Sequence, residues 1–316
     1  MNTIGVLTSG GDAPGMNACI AAIASRAEAR GVGLRGIFNG FRGLVDANTL
    51  PVGSEVSGLA RRGGTFLGTS RNGSIEEELR RTGINEACRR CGVDGLIVLG
   101  GGGSLRAANM LAEEGVPVVA VPCTIDNDVA GADYTLGFDT AVNKGIRAAD
   151  EIMDTAESLP ERLFLIETLG GTTGHIAIAT AYAVGADAVL VHEMPLDIEA
   201  VLEKIKARMD SGAVSGLVVL CENLGTADIA ARLEAGVGRR ARVTALGHAQ
   251  RGGSPTYFDR MLARKLGEAA ADALLDGERG VMTAYRGGFV LLTALAEAVN
   301  YTREIDSTTY RSVNAM

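Results

Sequence analysis

Val116-Pro117-Val118-Val119-Ala120-Val121-Pro122-Cys123-Thr124-Ile125-Asp126-Asn127-Asp128 joins a short apolar run to two carboxylates. The run is continuous, β-branched and closed by proline, which predicts a buried strand of a parallel sheet over Val116–Val121. Sheets of this kind bind ligands beyond the carboxyl ends of their strands. Asp126 and Asp128 therefore project toward a cleft and can divide labour, one as general base and one near a cation. Asp and Asn also cap helices well, so the same residues suit an N-cap cluster. This stretch alone leaves both readings open.

Outward from it, strand and helix patterns alternate. Ile4–Leu7 reads as a strand, Asn17–Arg30 as a helix and Leu34–Phe38 as a strand, followed by a glycine-punctuated loop from Gly40 to Gly73. Ile75–Cys91 reads as one helix, Gly95–Leu99 as a strand ending in four glycines, and Leu105–Glu114 as the helix leading to Val116. A second series follows: helix Thr140–Ala156, strand Arg162–Glu167, helix Gly174–Val184, strand Ala188–Val191, helix Ile198–Asp210 and strand Gly216–Cys221. A long helix Tyr257–Leu275 and an apolar strand Gly288–Leu292 come last. The alternation predicts an α/β protein of two lobes, each a mainly parallel sheet covered by helices, with the active site in the cleft between them. The expected division is 1–138 plus 251–300 for a larger, nucleotide-binding lobe, and 139–250 plus 301–316 for a smaller, sugar-phosphate-binding lobe.

Composition narrows the class. A chain of 316 residues, 47% apolar and 22% charged, suits an ordinary soluble enzyme of two lobes. Its net charge of −8 argues against broad binding to nucleic acid or to an anionic membrane. The start Met1-Asn2-Thr3-Ile4-Gly5-Val6-Leu7 reads as a first strand rather than a signal peptide, and no segment has the apolar length of a membrane span. Five cysteines without a secretory context point to free thiols in a reducing cytoplasm. Cys88-Arg89-Arg90-Cys91 has CxxC spacing, but it lies in a helical pattern with no second pair, so it reads as core.

Three motifs carry chemistry. Ser9-Gly10-Gly11-Asp12-Ala13-Pro14-Gly15-Met16-Asn17 follows the first strand and opens a helix. Glycines there admit an anion close to backbone N–H groups at a helix N-terminus, although a plain tight turn has the same composition. It is neither a dinucleotide fingerprint nor a Walker loop. Gly100-Gly101-Gly102-Gly103-Ser104 repeats the arrangement, as a polyphosphate lying across strand ends requires. Leu246-Gly247-His248-Ala249-Gln250-Arg251-Gly252-Gly253-Ser254-Pro255 places a His and an Arg three apart in a loop of small residues, suited to a phosphate or sugar hydroxyls.

With Gly-Val-Leu-Thr-Ser-Gly-Gly-Asp-Ala-Pro-Gly-Met-Asn (5–17), Arg-Gly-Gly-Thr-Phe-Leu-Gly-Thr-Ser-Arg (62–71), Thr-Ile-Asp-Asn-Asp (124–128) and Gly-His-Ala-Gln-Arg-Gly-Gly-Ser-Pro (247–255), the sequence resembles the bacterial-type ATP-dependent 6-phosphofructokinase family over about residues 3 to 295. The resemblance implies that fold and phosphoryl transfer from ATP, with Mg²⁺, to the 1-hydroxyl of fructose 6-phosphate, a reaction that is mostly positioning and charge stabilisation. It makes Asp126 the base, Thr124 its neighbour at the attacking end of the sugar, and Arg71 the cation on the transferring group. Gly10, Arg71, Gly101, Gly102, Gly103 and Ser104 would hold the nucleotide. Thr124, Asp126, Asp128, Leu169, Gly170, Gly171, Glu222, His248 and Arg251 would contact the sugar phosphate, as would Arg162 and Arg242 from a neighbouring subunit of a homotetramer with shared active sites.

Against the family pattern, Gly102 replaces an Asp that helps hold Mg²⁺, leaving Asp128 or Asp12 to do so. Gly171 replaces an arginine near the transferred phosphate. Pyrophosphate-using relatives carry Asp at the place of Gly103 and Lys at that of Cys123, so this chain favours ATP. Cys123 reads as a small space-filler that could be alkylated. The family's effector-site arginines read Ala21, Ser25 and Met153, the basic residues expected around Gly212–Ser215 are absent, and Asp187 alone retains an acidic position; no ADP or phosphoenolpyruvate response through that site is expected. The alternatives are a kinase for another sugar phosphate such as sedoheptulose 7-phosphate, a pyrophosphate-dependent phosphotransferase, and a non-catalytic sugar-phosphate-binding paralogue. Arg162, Arg242 and Arg251 argue for a phosphorylated acceptor, because three cations around a neutral sugar would be poorly used.

Overall fold

Apolar β-branched runs and alanine- or leucine-rich helices alternate along the chain, as their side-chain periods dictate. The structure, a computed structural model, describes residues 1–70, 75–158 and 161–315. Its strands are β1 (Thr3–Thr8), β2 (Gly33–Ile37), β3 (Thr49–Pro51), β4 (Gly95–Gly100), β5 (Val118–Pro122), β6 (Arg162–Thr168), β7 (Ala188–Leu190), β8 (Ser215–Cys221), β9 (Arg240–Ala245), β10 (Val281–Arg286) and β11 (Phe289–Ala294). They belong to two units, Met1–Asp139 with Arg251–Arg303, and Thr140–Gln250 with Glu304–Met316.

The first unit holds a seven-stranded sheet in the order β11-β10-β5-β4-β1-β2-β3. Only the marginal pairs β10/β11 and β2/β3 are antiparallel. Every residue of β4 and β5 is buried, which explains their unbroken apolar runs: a strand covered on both faces has no polar side to present. The helices Met16–Ala29 and Tyr257–Leu275 approach so closely that a Cβ on Gly267 would stand 2.8 Å from the carbonyl oxygen of Cys19. The chain leaves β1 toward β2 and returns at β4 on β1's other side. The loops after β1 and β4 therefore flank a topological switch point.

The second unit holds four parallel strands in the order β7-β8-β6-β9. Alternation splits its core: Phe164, Ile166, Leu217 and Val219 enter one cluster, and Leu163, Leu165, Val218 and Leu220 another.

Several expected elements differ. The region read as loop from Gly40 contains a short helix Gly40–Asp46, strand β3 and a 3₁₀ turn Ser54–Leu59. The helix is bounded by Asn39 and Ala47 in the left-handed region, so it is too short to show a period in sequence. Ile75–Cys91 is two helices, Ile75–Thr82 and Ile84–Cys91, broken at Gly83 with φ +82°. Strand β5 runs through Pro122, whose carbonyl accepts from Leu136 N–H at 3.0 Å while its nitrogen needs no partner. The helix Thr226–Val237, β9, β10 and the helix Ser307–Asn314 were not expected at all. β9 is a margin strand, half-exposed and carrying Arg240 and Arg242, so it lacks an apolar run.

Candidate active site

Three loops of the first unit meet beyond the ends of neighbouring strands β1, β4 and β5. Ser9 N–H donates to Leu99 O at 2.9 Å and Cys123 N–H to Gly100 O at 2.9 Å, so the sheet continues one residue into each loop. Gly100 is required there, because a Cβ would lie 2.4 Å from Ser104 Oγ and 2.7 Å from Ser9 O. Gly10 turns away at φ +82°. The four-glycine run is not all turn: Gly102 and Gly103 already belong to the helix Gly102–Glu113. Its first N–H groups have no side-chain cap, and neither do those of Met16–Ala29. Uncapped amides beside glycine turns can receive an anion.

The acidic loop is held from within. Thr124 Oγ1 donates to Asp126 Oδ2 at 3.1 Å and accepts from Asp126 N–H at 3.2 Å. Asn127 adopts φ +55°, and its side chain accepts from Thr135 N–H at 2.8 Å and donates to Asp133 O at 3.3 Å. Thr135 Oγ1 donates to Thr124 O at 2.6 Å. Asp126 is half-exposed at the tip. Asp128 Oδ1 is buried and accepts no hydrogen bond. Burial, and then the charge of Asp126, push the Asp128 carboxyl above its usual range, with Arg106 pulling it back. A buried orphan oxygen beside a second carboxylate fits a hard cation. Among the described residues no cluster of three or more His, Cys, Asp or Glu forms a metal cage. Mg²⁺ needs none, since it keeps waters and takes phosphate oxygens.

Cys123 is fully buried, and burial pushes its thiol well up, so it fills space and resists alkylation. Cys88 and Cys91 are buried too, the former pushed up to about 12.

Asn17 draws in the loop that leads to Arg71. Its side chain accepts from Phe66 N–H at 2.8 Å and donates to Arg62 O and Gly63 O, each at 3.2 Å. Thr69 Oγ1 then donates to Gly10 O at 2.7 Å. Arg71 itself lies outside the described residues. Arg251 reaches toward Asp12 O at 3.5 Å.

In the second unit, Leu169–Gly171, Glu222 and His248 all follow the C-terminal ends of strands. Glu222 Oε1 accepts from Gly171 N–H at 2.8 Å and Gly170 N–H at 3.2 Å. Its other oxygen has no partner among the described residues and can receive a hydroxyl. Arg162 is not with them. It opens β6, a strand-length away, roughly 20 Å at 3.3 Å per residue. The register Arg162↔Arg240 and Phe164↔Arg242 puts Arg162 and Arg242 on one face of the sheet.

Sequence reasoning missed Gln250 as a positioning group. It is fully buried, accepts from Leu169 N–H at 2.6 Å and donates to Ala141 O at 3.1 Å. Its position inside the His248–Arg251 motif was the available signal. Gln250→Leu leaves the buried Leu169 N–H unpaired, about 1–3 kcal/mol, and removes a second donor from Ala141 O, which keeps its bond within the helix Phe138–Ser158. The expected result is a lower unfolding midpoint and a raised KM for the sugar phosphate, which paired denaturation and steady-state measurements check; Gln250→Glu, which keeps the acceptor, should lose less.

The sequence profile of the family described as Phosphofructokinase matches residues 3–274. The chain is 46% identical over 311 residues to an ATP-dependent 6-phosphofructokinase 1 of Thermus thermophilus, covering 97% of this chain and 96% of the relative. The chain belongs to the phosphofructokinase family. An ATP-dependent 6-phosphofructokinase of Halalkalibacterium halodurans is 41% identical over 315 residues, 98% of each chain. The T-state crystal structure of Pichia pastoris phosphofructokinase superposes with TM-score 0.87 at 28% identity, over 95% of this chain and 35% of that much longer one. No helix among the described residues of this phosphofructokinase is long and apolar enough to cross a membrane.

Proposed function

We propose that this chain transfers the terminal phosphoryl group of ATP to the 1-hydroxyl of fructose 6-phosphate, giving fructose 1,6-bisphosphate. The carrying observation is Asp126, held by Thr124 at the end of β5, next to two glycine turns at the β1/β4 switch point. The names of the bacterial relatives favour ATP as donor and fructose 6-phosphate as acceptor.

Asp126 accepts the proton of the 1-hydroxyl as that oxygen attacks in line, and Thr124 fixes its carboxylate. The amides at Gly10 and Gly101–Ser104 hold the β- and γ-phosphates. Asp128, with its buried orphan oxygen, is the residue that would hold Mg²⁺, which when bound would supply charge to neutralise the phosphates. Arg71 supplies a further cation to the transferring group. On the acceptor side, Glu222 and the 169–171 turn take sugar hydroxyls, while His248 and Arg251 take the 6-phosphate. Arg162 and Arg242 complete that phosphate site in a neighbouring subunit, a reading supported by Arg162's distance from Glu222 along its own sheet. A homotetramer follows, to be checked by sedimentation velocity. Five free, buried cysteines suit a reducing cytoplasm.

A coupled assay with fructose 6-phosphate, Mg²⁺ and either ATP or pyrophosphate tests the reading. Turnover with ATP is expected. Turnover with pyrophosphate alone would overturn the donor assignment, and tight fructose 6-phosphate binding without turnover would overturn the enzyme.

A further inference from the structure

Arg106 stands near the start of the helix Gly102–Glu113. Its guanidinium hangs over the two glycines that open the helix: Nη1 lies 3.7 Å from the place of a Cβ on residue 102, and Nη2 3.7 Å from that of residue 103. The side chain is exposed, and among the described residues it makes no hydrogen bond or ion pair.

That is an uncomfortable position for a cation. The start of a helix is already its positive end, the first turn contains no acidic residue, and Gly101 caps no amide with a side chain. An arginine there, with no carboxylate in its own turn and no ion pair, adds repulsion, which an anion would relieve. Glycine at both 102 and 103 leaves the face of the guanidinium open, and no side chain competes for its five donors. The neighbouring carboxylate, Asp128, senses this charge, yet its buried Oδ1 accepts no hydrogen bond. The guanidinium over Gly102 and Gly103 and the Asp128 carboxylate thus feel each other's charge without forming an ion pair.

We propose that Arg106 is a donor-binding residue, whose planar fork grips the phosphate oxygens of a polyphosphate seated on the 100–104 loop. The assignment rests on the phosphoryl-transfer reading above and adds to it a cation that compensates, on the donor side, for the glycine at 171. A bidentate guanidinium matches phosphate geometry in a way that a point charge does not, so lysine should replace it only partly. Gly102 belongs with it: an aspartate there would sit within ion-pair reach of the guanidinium and take its charge.

The test is equilibrium binding of ATP and of inorganic tripolyphosphate to the full chain and its Arg106→Ala and Arg106→Lys variants, with fructose 6-phosphate binding and thermal unfolding measured alongside. Arg106→Ala should weaken both polyphosphates about tenfold, the loss of one exposed charge-assisted contact. Arg106→Lys should fall between. Fructose 6-phosphate affinity and the unfolding midpoint should not move, which a merely structural arginine would not guarantee. Unchanged polyphosphate affinity in Arg106→Ala, with wild-type binding intact, would overturn the proposal and leave the proposed function standing. A wild type that binds neither ATP nor tripolyphosphate would overturn both.

Discussion

Asp126→Ser should lower kcat about 100- to 10,000-fold, the usual contribution of a positioned general base, while fructose 6-phosphate affinity stays nearly intact. Local structure permits so selective an effect. Asp126 is half-exposed at a loop tip, so shortening it opens no cavity in the core. The loop is held apart from that carboxylate as well, because Asn127 and Thr135 pin it through bonds of 2.8 Å and 2.6 Å to the backbone of Thr135 and Thr124. A serine hydroxyl in place of the carboxylate cannot accept a proton from the sugar hydroxyl at neutral pH. A base acts only as the proton moves, so its removal belongs in kcat rather than in ground-state affinity. Steady-state rates and calorimetric binding of fructose 6-phosphate separate the two. Equal loss of both would contradict the base assignment, and an unaltered rate would remove Asp126 from the reaction.

The parts of this fold that were legible in sequence are those where burial is complete. β4 and β5 are covered on both faces and read as apolar runs, and with the glycines behind them they located the loops at the switch point. β9 was invisible because a margin strand half in solvent need not alternate cleanly, and its arginines obscured it. The Ile75–Cys91 break was equally hidden, since one glycine inside a helical period reads as tolerated until its φ is known. In the site, side-chain types and motifs pointed to Asp126, Asp128 and the glycine loops, and the family resemblance added Thr124 and Glu222. They could not reveal the groups that work through contacts distant in sequence. Gln250 reaches Leu169 and Ala141, and Asn17 gathers the 62–66 backbone. Such relations are set by packing rather than by any period or spacing.

Asp187→Ala should cost the second unit about 2–3 kcal/mol, the range for lost hydrogen bonds to a charged acceptor together with a buried donor left unpaired. The Asp187 side chain is 2% exposed. Its Oδ2 accepts from Leu217 N–H at 2.7 Å, its backbone N–H donates to Leu217 O at 2.8 Å, and its Oδ1 pairs with Arg208. The residue thus fastens the approach to β7 onto β8. Arg208 is 46% exposed, so its charge can return to water when the partner goes, and the ion pair itself is worth little; the larger part of the cost is the orphaned Leu217 amide. Urea unfolding should show a lower midpoint at unchanged slope, and Asp187→Asn, which can still accept from Leu217, should lose less. A midpoint equal to wild type would sink this account. The same geometry bears on regulation. A carboxylate already committed to Leu217 and Arg208 is not available to an effector, and Ala21 and Ser25 offer it no cation. The pocket of about 400 Å³ beside the helix Met16–Ala29 does contain arginines: Arg264 Nε is paired with Glu268 at 2.8 Å, while Arg260 Nε donates to the neutral Pro255 O at 2.8 Å, so Arg61 and Arg260 keep their charge unopposed by a carboxylate there. Two surface guanidiniums, screened by water and salt and without the arginines replaced by Ala21 and Ser25, do not by themselves hold a nucleotide diphosphate. ADP and phosphoenolpyruvate at physiological concentration should therefore leave the rate curve for fructose 6-phosphate unmoved, and a shift with either would show that the chain has built an effector site from other residues.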